Sequence, residues 1–474
     1  MTDFGFLSLL PPLIAIILAI RTKQVIVSLF IGLFIGYIII AGGNVFEGVL
    51  VTLEKTVDVF KSGGNTRTIL FTLLIGSLIQ LIKISGGING FVAKIQSSIL
   101  KSKNPKSKLQ VAAGLTGFFI FIESNISILT VGTVFQSLFD KFGISRQKLA
   151  YLADSSSAPS CILFPLNAWG AYIIGLLAMY DNIPPFQTLL YSIPFNFYPL
   201  LTLGLVFYLA KSGKSFGPMK EFDKDSSTES TIMEEESNTE PTTGKARNML
   251  LPLAVMIVSM PLFLLYTGWD SSLNESLGSK MWAAIGNASG SSAVLYAVTL
   301  AVVFAGIYFG VQKVLNLKSF VDESINGMKD MISMAILMML AFAIGNLCKE
   351  LGTGLYVASI TQEWLSPSLA PAIIFLTSCF IAFSTGTSWG TFAIMISIAV
   401  PLAQAIDLNM YVAIAAVLGG GVFGDHCSPI SDTTLISSMA SGSDHIDHVR
   451  TQLPYALATG GLATLFYLIV GFVM

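Results

Sequence analysis

Long apolar runs, most of them long enough to cross a membrane as a helix, recur along the whole chain of 474 residues. About 20 apolar residues span a bilayer in helical form, so the pattern predicts an all-α polytopic membrane protein. No small-residue cleavage site follows the first run, which is therefore predicted to be a retained span rather than a signal peptide. The runs include residues 6–20, 24–41, 67–82, 186–210, 249–267, 291–311, 332–348 and 452–474.

Composition supports the membrane class. Hydrophobic residues make up 53% of the chain and charged residues only 11%, roughly half of the charged share of about 25% in soluble domains. The net charge of −2 is uninformative for a protein mostly in lipid, and no basic patch indicates a nucleic-acid partner. The cysteines lack the paired spacing of zinc or redox sites and are predicted to be small hydrophobes in helix contacts. They are Cys161, Cys348, Cys379 and Cys427.

One polar segment divides the chain. Residues 211–248 carry 14 charges and almost no large apolar side chains, so this segment is predicted to be a flexible linker. It separates a first transmembrane repeat, residues 1–210, from a second one, residues 249–474. With the N-terminus outside, the predicted cytoplasmic segments hold 20 lysines and arginines against four in the exterior ones. This asymmetry follows the positive-inside tendency and places the linker in the cytoplasm.

Each half contains two apolar segments that small polar residues interrupt. Residues 117–132 correspond to 378–393, and 151–173 correspond to 422–440, where an Asp precedes a Pro inside an apolar run. Proline blocks helical hydrogen bonding and pushes the preceding residue out of helical geometry, so the second pair predicts broken helices. Unwound backbone at membrane depth must be buried or line a cavity. Paired breaks in two halves indicate a transporter's binding site.

The basic residues also predict the topology of the first pair of segments. Runs 109–122 and 126–139 have basic segments at both outer ends, which predicts a re-entrant hairpin that enters from the cytoplasm. Each half then crosses the membrane five times, so the second half is inverted and its hairpin, 371–402, enters from outside. The tips consist of Glu123, Ser124 and Asn125 in the first hairpin and of Ser384, Thr385 and Thr387 in the second.

Only four of the 28 carboxylates fall well inside the apolar runs, and all four lie in the polar interruptions. Sodium, like other hard cations, prefers oxygen ligands. A carboxylate removed from water holds a proton more strongly, and a nearby cation drives that proton off. Competition at one carboxylate is therefore sufficient for sodium/proton exchange. Asp154 and Asp425, at equivalent places in the two breaks, are the predicted sodium ligands, and the other two carboxylates are Glu123 and Asp432.

Several of these residues have simpler interpretations. Asp154 also suits an N-cap of the half-helix after Pro159, and His426 is either a titrating gate or a neutral partner of Asp425. His445 and His448 are predicted to be solvated. Asn167, Trp169, Trp389 and Ser388 either shape an organic-ligand pocket or pack in the core. The candidate ion- and substrate-binding residues are Glu123, Ser124, Asn125, Asp154, Ser155, Ser156, Asn167, Ser384, Thr385, Thr387, Ser388, Asp425, His426, Ser428, Asp432 and Thr433.

The chain resembles the NhaC-type sodium/proton antiporter family of the ion-transporter superfamily. The resemblance rests on "LTVGTVFQSLFDKFGISRQKLAYLADSSSAPSCILFPLNAWGAYII" (129–174) and "GDHCSPISDTT" (424–434). It implies a secondary carrier of the bacterial inner membrane that exchanges sodium and protons, and some members move small carboxylates or amino acids. The chain has one carboxylate in Glu123-Ser124-Asn125 where the family pattern has an acidic pair. It also has Asn167-Ala168-Trp169 in place of Ser-Ser-Trp.

The leading hypothesis is a sodium/proton antiporter that works by alternating access, with sodium and protons as coupling ions and without a cofactor. The alternative is a sodium- or proton-coupled carrier of a small organic acid or amino acid. An enzyme is disfavoured because the sequence contains no nucleophile–base pair, metal cluster or phosphate loop. A channel is disfavoured because paired broken helices favour a site that can be occluded. The lipid bilayer is the predicted partner, and the sequence leaves undecided whether the chain forms a homodimer.

Overall fold

The computed structural model of the chain describes residues 4–22, 24–99, 104–121, 123–165, 167–180, 182–229, 244–271, 276–353, 356, 359 and 366–474. Within these residues the chain forms 22 α-helices and no β-strand, as the apolar runs predict. The middle of the predicted linker, residues 230–243, lies outside the described residues.

The first half of the chain contains α1 (Leu10–Thr22), α2 (Val25–Ile40), α3 (Val45–Asp58), α4 (Gly63–Ile84), α5 (Gly87–Ile99), α6 (Pro105–Phe119), α7 (Ser124–Lys141), α8 (Arg146–Leu163), α9 (Ala168–Leu177), α10 (Pro185–Ser192) and α11 (Phe197–Ser212). The rest contains α12 (Met219–Glu229), α13 (Arg247–Gly268), α14 (Leu277–Asn287), α15 (Gly290–Val311), α16 (Leu317–Asp330), α17 (Ile332–Leu351), α18 (Ala370–Thr385), α19 (Ser388–Ala405), α20 (Met410–Cys427), α21 (Asp432–Ser441) and α22 (His445–Val473). Short 3₁₀ turns cover Gly5–Leu9, Val59–Lys61 and Ile193–Phe195.

Among the described helices, seven are long and apolar enough to cross a membrane, and two bent pairs raise the number to nine. Helices α8 and α9 meet at 42°, and α10 with its 3₁₀ turn meets α11 at 50°. The chain is therefore a membrane protein with many spans. Each apolar run forms a helix because a backbone in hydrocarbon must satisfy its hydrogen bonds within the segment. The length of the run therefore sets the length of the helix.

Both predicted hairpins are pairs of helices joined by a tight turn. Helices α6 and α7 meet at Glu123, whose side chain caps α7 by accepting from the Ile126 N–H at 2.9 Å. Helices α18 and α19 meet at Gly386 and Thr387, and Gly386 has the left-handed φ of +69° that favours glycine. The re-entrant path of the hairpins and the inversion of the second half stay predictions.

Both predicted helix breaks exist, but the first lies later in the chain than predicted. Helix α20 ends at Cys427, just before Ser428, which is extended and precedes Pro429, as predicted. Helix α8 runs through Pro159 and ends at Leu163, because the extended residue is Phe164, which precedes Pro165. Asp154 therefore lies inside a continuous helix, and its predicted role as an N-cap is wrong.

Serine side chains around Asp154 bond to the backbone of their own helix. The hydroxyls of Ser156, Ser157 and Ser160 donate to carbonyls four residues earlier in α8, at 2.5–2.6 Å. These three hydroxyls are thus satisfied within the helix, although every residue from Lys148 to Ile162 is buried. The equivalence of Asp154 and Asp425 is also wrong, since Asp425 lies in the last turn of its helix and Asp154 does not.

The two hairpins pack against the broken helices in matching ways. Both α6 and α7 contact α8, and both α18 and α19 contact α20. The second arm of each hairpin also contacts the far half of the other broken helix, α7 with α21 and α19 with α9. Helices α18 and α20 lie very close together. Gly420 and Gly424, four residues apart on α20, allow this, because a Cβ at Gly420 would lie only 2.5 Å from the Phe375 carbonyl oxygen of α18.

The described start of the linker is ordered and packed, contrary to the prediction of a wholly flexible segment. Met219 of α12 is buried, and Asp223 accepts from the Ser145 hydroxyl at 2.6 Å. Asp223 also pairs with the buried Lys148 at 3.1 Å. These contacts fix α12 to the start of α8, because a buried lysine requires a charged partner.

Candidate functional site

Asp425 lies in the last turn of α20, where two hydroxyls hold its carboxylate. Its Oδ2 accepts from the Ser388 hydroxyl at 2.7 Å, and its Oδ1 accepts from the Ser431 hydroxyl at 2.5 Å. The Thr433 hydroxyl lies 3.0 Å from that of Ser431. All four side chains are buried. The carboxylate is therefore surrounded by oxygen atoms, the ligands that hard cations prefer.

Three helix ends create this arrangement. Ser388 is the first residue of α19, and Ser431 caps the N-terminus of α21, where it accepts from the Thr433 N–H at 3.2 Å. The positive ends of two helix dipoles thus lie at the carboxylate of Asp425. Ser428, in the break, donates to the Phe383 carbonyl at 2.7 Å and fastens the break to the second hairpin. Breaking α20 at Pro429 is what brings these ends together.

The tip of the first hairpin meets the start of α21. Glu123 is close enough to Asp432 to interact with it electrostatically, and Asp432 interacts in the same way with Asp425. Asn125, at the same tip, lies close to Asp432. Unlike the buried Asp425, Asp432 is exposed and Glu123 is half-buried. These two carboxylates therefore border the Asp425 site on its accessible side.

Asp154 is surrounded by nitrogen atoms rather than by hydroxyls. Its Oδ2 accepts from the Gln452 amide at 2.8 Å and lies 3.5 Å from Nε2 of His448. The same Gln452 nitrogen donates to the His426 carbonyl. Gln452 thus connects the middle of α8 to the end of α20, next to Asp425. An N–H group cannot ligate a cation, so the two nitrogen neighbours of Oδ2 differ from the hydroxyls around Asp425. Oδ1 of Asp154 and Oε1 of Gln452 have no hydrogen-bond partner among the described residues.

The histidines lie in more buried surroundings than the sequence suggests, and a gating role of His426 stays a prediction. His426 is buried, but it contacts Ser155 and Tyr198 at 2.7 and 2.6 Å, and its predicted bond to Asp425 is absent from the hydrogen bonds that the described residues make. His448 is fully buried rather than solvated. His445 is half-buried and lies 2.7 Å from the Pro429 carbonyl.

Most other candidate residues serve the local structure. Asn167 caps α9 and donates to the Phe121 and Cys161 carbonyls at 2.7 Å, which fastens the first break to the first hairpin. The hydroxyls of Ser156 and Thr385 donate to carbonyls of their own helices. Thr387 caps α19 through its backbone, and Ser384 is half-buried.

The aromatic residues of the two halves contact each other. The rings of Trp169 and Trp389 lie 5.3 Å apart, and Tyr172 donates to the Trp389 carbonyl at 3.1 Å. Trp169 is buried, but no hydrogen-bond partner of its indole N–H occurs among the described residues. The cluster therefore packs α9, the far half of the first broken helix, against α19, the second arm of the second hairpin.

Across the part of the chain that the structure describes, no group of three or more His, Cys, Asp or Glu side chains could hold a metal ion. A structural or catalytic transition-metal centre needs such a group.

Residues 160–472 match the model of the Na+/H+ antiporter family, about two-thirds of the chain. The chain belongs to the Na+/H+ antiporter family. The match includes both helix breaks, the second hairpin and Asp425, so Asp425 and the hydroxyls around it lie within the part that the family shares, whereas Glu123 and Asp154 precede that part. The resemblance to NhaC-type antiporters is confirmed, and the chain is a secondary active transporter.

Relatives of the antiporter carry several names. An uncharacterised protein of Haemophilus influenzae is 33% identical over 98% of this chain and 91% of its own length. The Na+/H+ antiporter NhaC of Alkalihalophilus pseudofirmus is 30% identical over 24% of this chain and 23% of its own. The malate-2H+/Na+-lactate antiporter of Bacillus subtilis is 28% identical over 23% of this chain and 24% of its own.

The fold is similar to that of a solved transporter. The crystal structure of the Alcanivorax borkumensis YdaH transporter, described as having an unusual topology, covers 90% of this chain and 89% of its own at a TM-score of 0.58. The sequence identity is 14%, so the likeness concerns the fold alone.

Sequence reasoning did not find four residues of the buried polar network: Tyr198, Ser431, His448 and Gln452. Ser431 stands in the quoted "SPISDTT" segment, where its position just before a new helix was the available signal. Tyr198, His448 and Gln452 lie on α11 and α22, far from both breaks in sequence, and only the tertiary packing brings them to the site.

Proposed function

We propose that the chain exchanges sodium ions for protons across the bacterial inner membrane, with Asp425 as the group that binds either ion. The observation that carries the proposal is the surroundings of Asp425, where each carboxylate oxygen faces a buried serine hydroxyl. With sodium, the carboxylate and these hydroxyl oxygens would be ligands. With a proton, the carboxyl group would donate to one of the hydroxyl oxygens, because a hydroxyl both donates and accepts.

The competition between the two ions supplies the coupling. A cation beside the carboxylate favours its ionised form, and a proton removes the charge that attracts the cation. The two states therefore exclude each other at one site. An empty, charged Asp425 without a cation would be the costly state in a buried environment, so the carrier would change its access mainly when loaded.

The movement that exposes the site to each side is proposed to involve the hairpins and breaks. In this proposal the two halves have inverted topology, and each hairpin rocks against the broken helix that it packs on. The matched contacts of α7 with α21 and of α19 with α9 support such a relation between the halves. The linker, with α12, would lie in the cytoplasm according to the lysine and arginine distribution.

The proposal is tested in proteoliposomes that hold an imposed pH gradient reported by an internal dye. Sodium should collapse the gradient, potassium should not, and Asp425→Asn should abolish the response. Asp58→Asn, in the exposed ion pair with Lys61, is a matched control that should keep the response. A sodium response that survives in Asp425→Asn would reject the proposed role of this carboxylate.

A second candidate function is the exchange of small organic acids or amino acids. The malate-2H+/Na+-lactate antiporter of B. subtilis among the relatives favours it, as does the unpartnered Trp169 indole between the two halves. A folded protein without a sodium response, but with uptake of a labelled carboxylate or amino acid, would favour this function over ion exchange alone.

A further inference from the structure

The structure contains two buried carboxylates in chemically different surroundings. Asp425 faces two hydroxyls, whereas Asp154 faces an amide N–H and an imidazole. Oxygen ligands suit a sodium ion. An imidazole beside a carboxylate does not, but the two together can accept and release a proton. The nature of the neighbours thus separates the two carboxylates by the ion that each can bind.

The geometry of His448 supports this reading of Asp154. His448 lies on α22 with Nε2 2.9 Å from the Ser437 hydroxyl and 3.5 Å from Oδ2 of Asp154. Within the described residues, Nδ1 of His448 and Oδ1 of Asp154 have no hydrogen-bond partner, although both side chains are fully buried. Buried polar atoms without a partner are rare in native proteins and require an explanation. Here both members of one carboxylate–imidazole pair have such an atom.

Nearby basic residues do not neutralise the pair. The basic residues at the start of α8, Arg146 and Lys148, are paired with Asp140 and Asp223 instead of Asp154. With a neutral imidazole, the pair therefore carries a buried negative charge, which is costly. One added proton makes the pair neutral overall, whichever of the two groups holds it. The titratable groups that interact electrostatically with the pair from the elements packed around it are Asp425, His426, Cys427 and Asp432.

The pair also lies near an exposed end of a helix. Helix α22 starts at His445, after the exposed cap Asp444, and His448 follows within one turn. A proton that enters from the solvent at the start of α22 therefore travels only a short distance to the imidazole. The Ser437 hydroxyl, which contacts Nε2, is on α21, the half-helix that starts beside the Asp425 site.

We propose that Asp154 and His448 form a proton-binding site separate from the sodium site at Asp425, so that the exchange moves more than one proton for each sodium ion. The inference rests on the proposed sodium/proton exchange. The added proton binds from solvent on one side and leaves to solvent on the other, and only O–H or N–H bonds form and break. Exchange with more than one proton per sodium ion moves net charge and depends on the membrane potential.

The test is the coupling ratio in proteoliposomes with a fixed sodium gradient. The pH gradient at which net sodium flux stops is measured at several membrane potentials, set with potassium and valinomycin. The unmodified protein should show a ratio above one proton per sodium ion and a reversal point that moves with the potential. In His448→Gln the ratio should fall to one, and the reversal point should no longer depend on the potential.

His445→Gln is the matched control on the same helix, three residues earlier and half-buried, and it should keep the ratio of the unmodified protein. Asp154→Asn is the second variant and should show the same ratio as His448→Gln. A ratio of one in the unmodified protein would overturn the inference without any variant, and so would an unchanged ratio in His448→Gln. Absence of any sodium-driven proton movement in the unmodified protein would instead overturn the proposed function together with the inference.

Discussion

Replacing Ser388 by alanine removes one of the two hydroxyls that hold Asp425 and leaves the other in place. The Ser388 hydroxyl donates to Oδ2 at 2.7 Å, whereas Ser431 serves Oδ1. Ser388 is the first residue of α19 and not its cap, since the capping position is Thr387. Alanine is the best helix former, so the change should affect the carboxylate and not the helix.

The size of the effect follows from the loss of one proposed oxygen ligand. The contact of a cation with a hydroxyl is comparable to a hydrogen bond to a charged group, which contributes about 1.5–3 kcal/mol, and Ser388 is completely buried, so water cannot easily replace its hydroxyl. Each 1.4 kcal/mol corresponds to about a tenfold change in an equilibrium constant. The sodium affinity of Ser388→Ala should therefore fall by about tenfold to a hundredfold.

The assay is the initial rate of sodium-dependent collapse of a pH gradient in proteoliposomes, measured over a range of sodium concentrations. The KM for sodium should rise by the factor given above. Ser397→Ala is the matched control, because Ser397 is a buried serine on the same helix whose hydroxyl donates to the Ile394 carbonyl at 2.7 Å. An unchanged KM in Ser388→Ala would refute the assignment of this hydroxyl to the sodium site.

Three further predictions concern the turn, the linker and the topology. Gly386→Ala should lower the melting temperature more than Gly352→Ala. Both glycines adopt left-handed φ, where alanine costs about 1–2 kcal/mol, but only at Gly386 would a backbone carbonyl oxygen lie 2.8 Å from the new Cβ. Equal losses would contradict this. Asp223→Asn should lower the free energy of unfolding, measured by thermal unfolding, by about 1–3 kcal/mol, which is less than the loss for a fully buried ion pair because Asp223 is partly exposed. Adding Lys148→Met should restore the stability. An unchanged stability in Asp223→Asn would contradict the pairing. In a background without native cysteines, the exposed Lys141→Cys should react with an impermeant maleimide from the cytoplasmic side only, and reaction from outside would reject the predicted hairpin.

Much of the fold was predictable because its cause is local. A run of apolar residues in lipid has to become a helix, and each of the eight apolar runs lies on a described helix or helix pair. The turn at Gly386 and the break at Pro429 also follow from local backbone preferences. The sequence therefore predicted the helices, the two helical hairpins and the second break at their places.

The first break shows where local reasoning fails. Two prolines, Pro159 and Pro165, follow Asp154, and the local pattern predicts a break at Pro159, next to the serines. The helix instead continues to Leu163, and the serine hydroxyls donate to carbonyls of that same helix. Whether a proline breaks a helix or is accommodated within it depends on the packing around it, which a local pattern does not contain.

The surroundings of Asp154 depend on contacts between residues distant in sequence. Gln452 and His448 are nearly 300 residues away from it, in a stretch rich in Asp, His and Arg that is typical of an exposed loop. Only the packing of α22 against α8 buries them. The difference between an oxygen-lined and a nitrogen-lined carboxylate was therefore beyond the reach of the sequence.

The most direct test of the role of Asp425 is the release of protons when sodium is added to the purified protein in weakly buffered detergent. If one carboxylate binds either ion, sodium should release protons in a saturable way, potassium should not, and Asp425→Asn should release none, while Asp58→Asn behaves like the unmodified protein. Release of protons by sodium in Asp425→Asn, at the level of the unmodified protein, would contradict competition at this carboxylate.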